Sequence, residues 1–273
     1  MSPYDNSITI QEPIRLRLAW LYVLLTLALF SLSLSHNALG AETVKERVGY
    51  AYGAESGSLL YSEHHQEWWK GGRILRDTVT YRDAQGNIIG EKHVDFRTLE
   101  RAPRFLLRNI RTGHSEGAIP DSDKLNVSFR RNREAALKKE ALELPEGAIV
   151  DAGFDRFVEN NWNALMRGEA FVQPFLVPSR LEFIDFRIQR VDDGSDPERT
   201  TLEMAADSPL LRLFAPAITV VYGTRDRSLL EYDGVSNIRD AGGENLDVEI
   251  RFDPSRSDVS AASPSILKHG AIN

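Results

Sequence analysis

The sequence predicts a mainly β fold of the α+β kind: a curved antiparallel β-sheet or half-barrel meander covered by one main α-helix and a short helical turn. Short segments that alternate apolar and polar residues, separated by turn chemistry, are the first observation behind this. The second is that one stretch carries a sustained apolar stripe at helical spacing. The third is the shortness of the connections between alternating segments, which makes consecutive strands neighbours in one sheet.

The elements follow in order. Ile74 to Tyr81 and Ile88 to Phe96 flank Arg82-Asp-Ala-Gln-Gly86-Asn87, where Gly86 supplies the positive φ of a hairpin turn. Residues 132–144 combine helical composition with the alternation of Leu142 and Leu144, and are read as a strand because their neighbours read as meander. Asp151 is placed as the cap of a helix ending at Gly168, with Phe154, Phe157, Val158, Trp162 and Leu165 on one stripe. From Arg180 to Val191, Ile184, Phe186 and Ile188 share one face of a strand that is buried at one end and wet at the other. Ser208 to Pro216 is the short helical turn, bracketed by prolines, with Leu210, Leu211, Leu213 and Phe214 seeking cover. Ala217 to Tyr222, Ser228 to Val235 and Leu246 to Phe252 form a closing antiparallel meander.

Ahead of this domain, Arg15-Leu-Arg17 precedes an apolar run from Leu18 to Leu34, and small residues stand at Ala38 and Gly40. These are the parts of a secretory signal peptide over residues 1–40, which makes 41–253 a single exported β-rich domain and the Ser- and Ala-rich 254–273 a disordered tail. The alternative is an uncleaved anchor in the inner membrane. Trp20 and Tyr22 suit its interfacial belt, whereas Ser31, Ser33 and Ser35 lower the apolarity where an anchor keeps it. Both readings put the domain on the far side, in the bacterial periplasm. The chain has no cysteine, which excludes disulfides, thiol catalysis and a lipid-modified cysteine. Its 273 residues are 27% charged with a net charge of −7. That balance argues against nucleic acid as a partner and against a broad basic membrane patch, so membrane contact is expected only through an uncleaved leader.

The closing stretch from Val220 to Asn245 resembles exported bacterial proteins of unknown function, and the layout of meander, helix and further meander is similar to the LolA and LolB lipoprotein carriers. That resemblance implies a curved sheet over helices enclosing an apolar cavity for acyl chains. It implies no motif that would identify a ligand.

Chemical motifs are sparse. Glu63, His65 and Glu67 project from one face of a strand and are the candidate metal ligands. Successive members stand about 6.6 Å apart, too far for all three to hold one ion without a neighbouring strand. The cluster is therefore read as a solvated strand face, and no metal or other cofactor is expected. His93 and His114 are isolated, and read as surface or hydrogen-bonded core residues. No Gly-x-Ser-x-Gly elbow or phosphate-cradling glycine loop occurs, and no catalytic residue is assigned. The adjacent Trp68 and Trp69 are read as one buried and one exposed ring beside a turn.

The expected function is a non-enzymatic exported domain that binds a lipid or other apolar ligand, with Phe157, Trp162, Phe183, Phe186, Leu213 and Phe214 as the cavity-lining candidates. The alternatives are an envelope structural module that contacts a protein partner through a sheet edge, and an enzyme of unrecognised type.

Overall fold

The computed structural model describes residues 41–253 apart from 193, 213–215 and 241, together with the backbone of 259–261. The predicted leader, and all of the predicted tail except the backbone of 259–261, lie outside the described residues.

The chain first lays down eight consecutive strands: β1 (Thr43–Gly53), β2 (Leu59–Lys70), β3 (Arg73–Asp83), β4 (Ile88–Asp95), β5 (Arg104–Asn109), β6 (Ser115–Asp121), β7 (Lys124–Arg130) and β8 (Lys138–Glu143). Helix α1 (Gly153–Met166) follows, then β9 (Phe171–Val177), β10 (Glu182–Arg190), β11 (Arg199–Ala206), the single turn α2 (Pro209–Arg212), β12 (Ile218–Gly223), β13 (Leu229–Arg239) and β14 (Asn245–Phe252). A short strand, β15 (Val259–Ala261), pairs with β1 inside the stretch expected to be a tail.

Within β1–β8 and within β9–β14 each strand pairs antiparallel with its predecessor in sequence, and β1 pairs with β14, giving one sheet in the order β8 through β1, then β14 through β9. The two ends of the meander are thus joined at its centre. The two free edges, β8 and β9, flank α1 in the chain.

The sheet is strongly curved. Asn109 on β5 donates from Nδ2 to the Arg239 carbonyl on β13 over 3.3 Å, although six ladder steps separate those strands. In a flat sheet, six steps would span about 29 Å. Between the edges the ladder does not close. Ile149 makes an isolated bridge to β9 there, donating to Pro174 O at 2.8 Å and accepting from Leu176 N at 3.0 Å.

The expected hairpin is β3–β4, where Gly86 takes φ 86° and the Asp83 carboxylate accepts from the Gln85 and Asn87 amides. The closing meander is β12–β13–β14, and residues 138–143 are a strand as read. Helix α1 buries Phe157, Val158, Trp162 and Leu165, the predicted stripe, with Ile188, Leu202, Met204 and Val220. Its predicted cap is corrected. The residue preceding the helix is Ala152, with no side-chain capping bond, while Asp151 sits at φ 47° and spends its carboxylate on Lys92. Glycine is required at the helix start, because a Cβ on Gly153 would lie 2.0 Å from the Arg101 carbonyl oxygen. The cover expected over the α2 segment is absent at Leu210, which is 65% exposed. Among the described residues no helix is long and apolar enough to cross a membrane.

Candidate functional site

Because side chains alternate across a strand, one face of β1–β7 points into the curl, and the strand registers fix which residues share a level. One row runs Arg47, His65, Val79, Lys92, Leu107, Glu116, Phe129 across these seven strands. The adjacent row on β2–β5 runs Glu67, Asp77, Val94, Phe105. Charged groups are therefore interleaved with apolar ones on the inner face.

They enclose a cavity of about 370 Å³, within the range of small-molecule sites. Its walls differ in kind. Strands β1–β4 supply Arg47, Glu63, His65, Asp77 and Lys92, whereas β9–β12 supply only apolar residues, among them Phe175, Phe186, Met204 and Val220. Asp151 and Asp155 enter from the start of α1, and His114, Glu116 and Arg239 stand on further lining positions.

Electrostatics hold the charged wall together. Arg47 Nε donates to Glu67 Oε1 at 2.8 Å, and Trp69 Nε1 donates to Glu67 Oε2 at 2.9 Å. Burial would lower the Arg47 guanidinium, but Glu67, Asp155 and Asp77 together hold it above even the ordinary arginine value. Lys92 Nζ lies 2.7 Å from Asp151 Oδ2. Burial works against that ammonium too, and the Asp151 carboxylate overrides it, raising its pKa. His65 places Nδ1 2.9 Å from Asp77 Oδ2 and Nε2 3.4 Å from Glu63 Oε2. Burial and the nearby Arg47 push this imidazole down, the two carboxylates push it up, and it ends above its ordinary value. Tyr222 donates its hydroxyl to Asp155 Oδ1 at 2.6 Å, and burial, reinforced by that carboxylate, keeps the phenol protonated.

Among the described residues, three buried side chains leave polar atoms without a hydrogen-bond partner, one of them Arg239 at Nε. Asp77 is 6% exposed, and its Oδ1 has no hydrogen-bond partner. His114 is 1% exposed, and neither ring nitrogen has one, the nearest carboxylate being Glu116 at 3.7 Å. The expectation that His114 would be a surface or hydrogen-bonded residue is thus corrected. His93 is exposed.

Glu63, His65 and Glu67 do share a face, but it is the interior one, which corrects the reading of a solvated strand face. The neighbouring strand whose help a metal would need is β3: His65, Glu67 and Asp77 offer ligand atoms within 4.8 Å of one another. The geometry admits a divalent ion. The charge environment competes with it, since Arg47 already neutralises Glu67 and both Glu67 oxygens are engaged.

Of the cavity-lining candidates, Phe186 lines the cavity. Phe157 and Trp162 are instead core residues, packed edge-to-face on Phe171 and Tyr222 with ring centroids 5.5 and 6.0 Å apart. Phe183 packs against the core cluster of Phe105, Leu125 and Leu176. Leu213 and Phe214 lie outside the described residues. Both tryptophans of the Trp68–Trp69 pair are half-buried under cations, Arg76 at 4.2 Å from the first ring and Lys45 at 4.0 Å from the second, rather than one in and one out. Arg47, Asp77, Lys92 and Asp151 were missed. The signal available for Asp77 and Arg47 was their position on strands next to the Glu63–Glu67 segment, one alternation period from apolar partners.

No protein-family model matches the chain, and no curated protein matches it. Among solved structures, it is similar to a β-barrel-like protein of a domain of unknown function (DUF1849) from Brucella abortus, at 8% identity and a TM-score of 0.43, covering 82% of this chain and 99% of that one.

Proposed function

We propose that this protein is an exported, non-enzymatic binding module whose curled sheet holds an amphiphilic small molecule, with its apolar part against β9–β12 and its polar part against β1–β4. The observation that carries the reading is the two-sided cavity: apolar where β9–β12 line it, and built from charged groups where β1–β4 do. A filled apolar interior would be simpler to stabilise, because burying paired charges seldom adds stability over hydrophobic packing. Retaining them in a cavity wall is accounted for by a ligand with a polar end. This refines the sequence expectation of a lipid or apolar ligand by adding a head group. Export is supported by the basic flank, apolar run and small residues before position 41.

A second reading, catalysis, is favoured by the buried His65–Asp77 pair, which has the arrangement of a general base and its orienting carboxylate. Against it, the other ring nitrogen already faces Glu63, and no hydroxyl nucleophile is hydrogen-bonded to the imidazole among the described residues.

Native mass spectrometry of the protein purified from its host's envelope tests the binding reading. Excess mass that is lost on denaturation and extracts into organic solvent is the expected result, on a chain beginning near residue 41. A bare polypeptide mass, unchanged after incubation with host lipid extract, would count against it.

A further inference from the structure

The polar wall carries information about the head group. Three cations face it: Arg47 is paired with Glu67 and Lys92 with Asp151, while Arg239 donates to the Gly243 carbonyl and is matched in charge, without an ion pair among the described residues, by Glu116. Once these are set aside, Glu63, Asp77 and Asp155 remain. His65 stands between the first two, and the uncharged Tyr222 hydroxyl serves the third. Even a protonated His65 leaves the wall with more negative than positive charge. In a site withdrawn from water that surplus is felt strongly, because little solvent screens it.

One unmet acceptor on the wall points the same way, and independently. The Asp77 carboxylate lines the cavity with Oδ1 unpartnered while its residue is more than nine-tenths buried. An ionised carboxylate only accepts, so what would satisfy it is a donor. An unmet buried acceptor of this kind is costly, and a ligand N–H that reaches it recovers that cost on binding.

We infer that the ligand of this cavity is an amphiphile with a cationic, hydrogen-bond-donating head, an alkylammonium being the simplest member of the class. The ammonium takes Asp77 Oδ1 and lies within the field of Glu63 and Asp155, and the alkyl part lies along Phe175, Phe186 and Val220. This rests on the binding reading above. A carboxylate head on the same tail meets the same net charge with the wrong sign, and of the cations Arg47 and Lys92 are already committed to Glu67 and Asp151, which leaves only Arg239 Nε and the His114 ring as unpartnered buried donors on the lining for an anion.

The test uses the full chain as expressed and three probes with one tail, decylamine, decanol and decanoate, titrated calorimetrically at neutral pH below their aggregation limits. Decylamine is expected to bind at least about tenfold more tightly than decanoate, with decanol between them. Asp77→Asn is expected to remove most of the advantage of decylamine over decanol. Asp155→Asn provides a second reading of the same charge if Asp77→Asn does not fold. Decanoate equal to or tighter than decylamine overturns the inference while leaving the binding reading in place. Binding of decanol with no gain for decylamine does the same. Failure of all three probes overturns the binding reading itself.

Discussion

Replacing Lys92 by methionine tests how the inner face is held together. The Lys92 and Asp151 side chains are 13% and 7% exposed, and their charged atoms are 2.7 Å apart. Methionine keeps the length of the stem and removes the charge, which leaves the Asp151 carboxylate buried with only Asn237 Nδ2, at 3.5 Å, as a weak neighbour. Breaking a buried pair from one side costs about 3–5 kcal/mol, because the remaining ion is uncompensated. For a folded body of this size about 2–4 °C of Tm corresponds to each kcal/mol, so Lys92→Met is expected to lower Tm by about 6–20 °C. Lys92→Met combined with Asp151→Asn removes both charges and is expected to recover more than half of that loss. Thermal unfolding followed by circular dichroism, with urea midpoints as a second measure, is applied to the wild type, each single variant and the double variant to complete the cycle. A loss below about 1 kcal/mol for Lys92→Met is the value expected of an exposed pair, and it would refute the placement of these groups on the interior.

His65 has a folded-state pKa above its unfolded value near 6.5, so its contribution to stability is fully present below that value and is lost as pH rises through the folded pKa. Urea unfolding across that window should show stability falling with pH, and His65→Gln should flatten the slope; an unchanged slope in the variant would count against the assignment. Gly153→Ala forces a Cβ to within 2.0 Å of the Arg101 carbonyl oxygen and is expected to cost about 1–3 kcal/mol by denaturant melts, against a near-neutral Gly168→Asn at the far end of the helix, where φ is 84° and nothing stands close. Leu165→Ala, at a fully buried position on the inner face of α1, is expected to cost about 2–5 kcal/mol in the same assay. Phe186→Ala should instead act on the cavity, weakening decanol binding by about tenfold in calorimetry, while Trp162→Phe leaves that affinity within about twofold.

The local elements were legible because their signals are local. Alternation marked β3 and β4, Gly86 marked the turn between them, and the i, i+3, i+4 spacing of Phe154, Phe157 and Val158 marked α1, since each depends only on neighbours a few residues away. Asp151 was read as a cap for the same reason and proved otherwise. Its partner Lys92 is 59 residues distant in sequence, and a competing contact at that range leaves no trace in a local pattern.

The candidate site divides in the same way. Alternation alone determined that Glu63, His65 and Glu67 share a face, and composition alone determined that cysteine chemistry has no part here. Which way that face points was decided only by the tertiary structure. A period of two says which side chains go together, but both faces of a strand have it, and three charged groups in isolation belong in water. They lie inside because the sheet is curled and the face that carries Arg47, Asp77 and Lys92 is turned inward beside Asp151, where opposite charges compensate one another. That compensation is a property of the curled sheet as a whole.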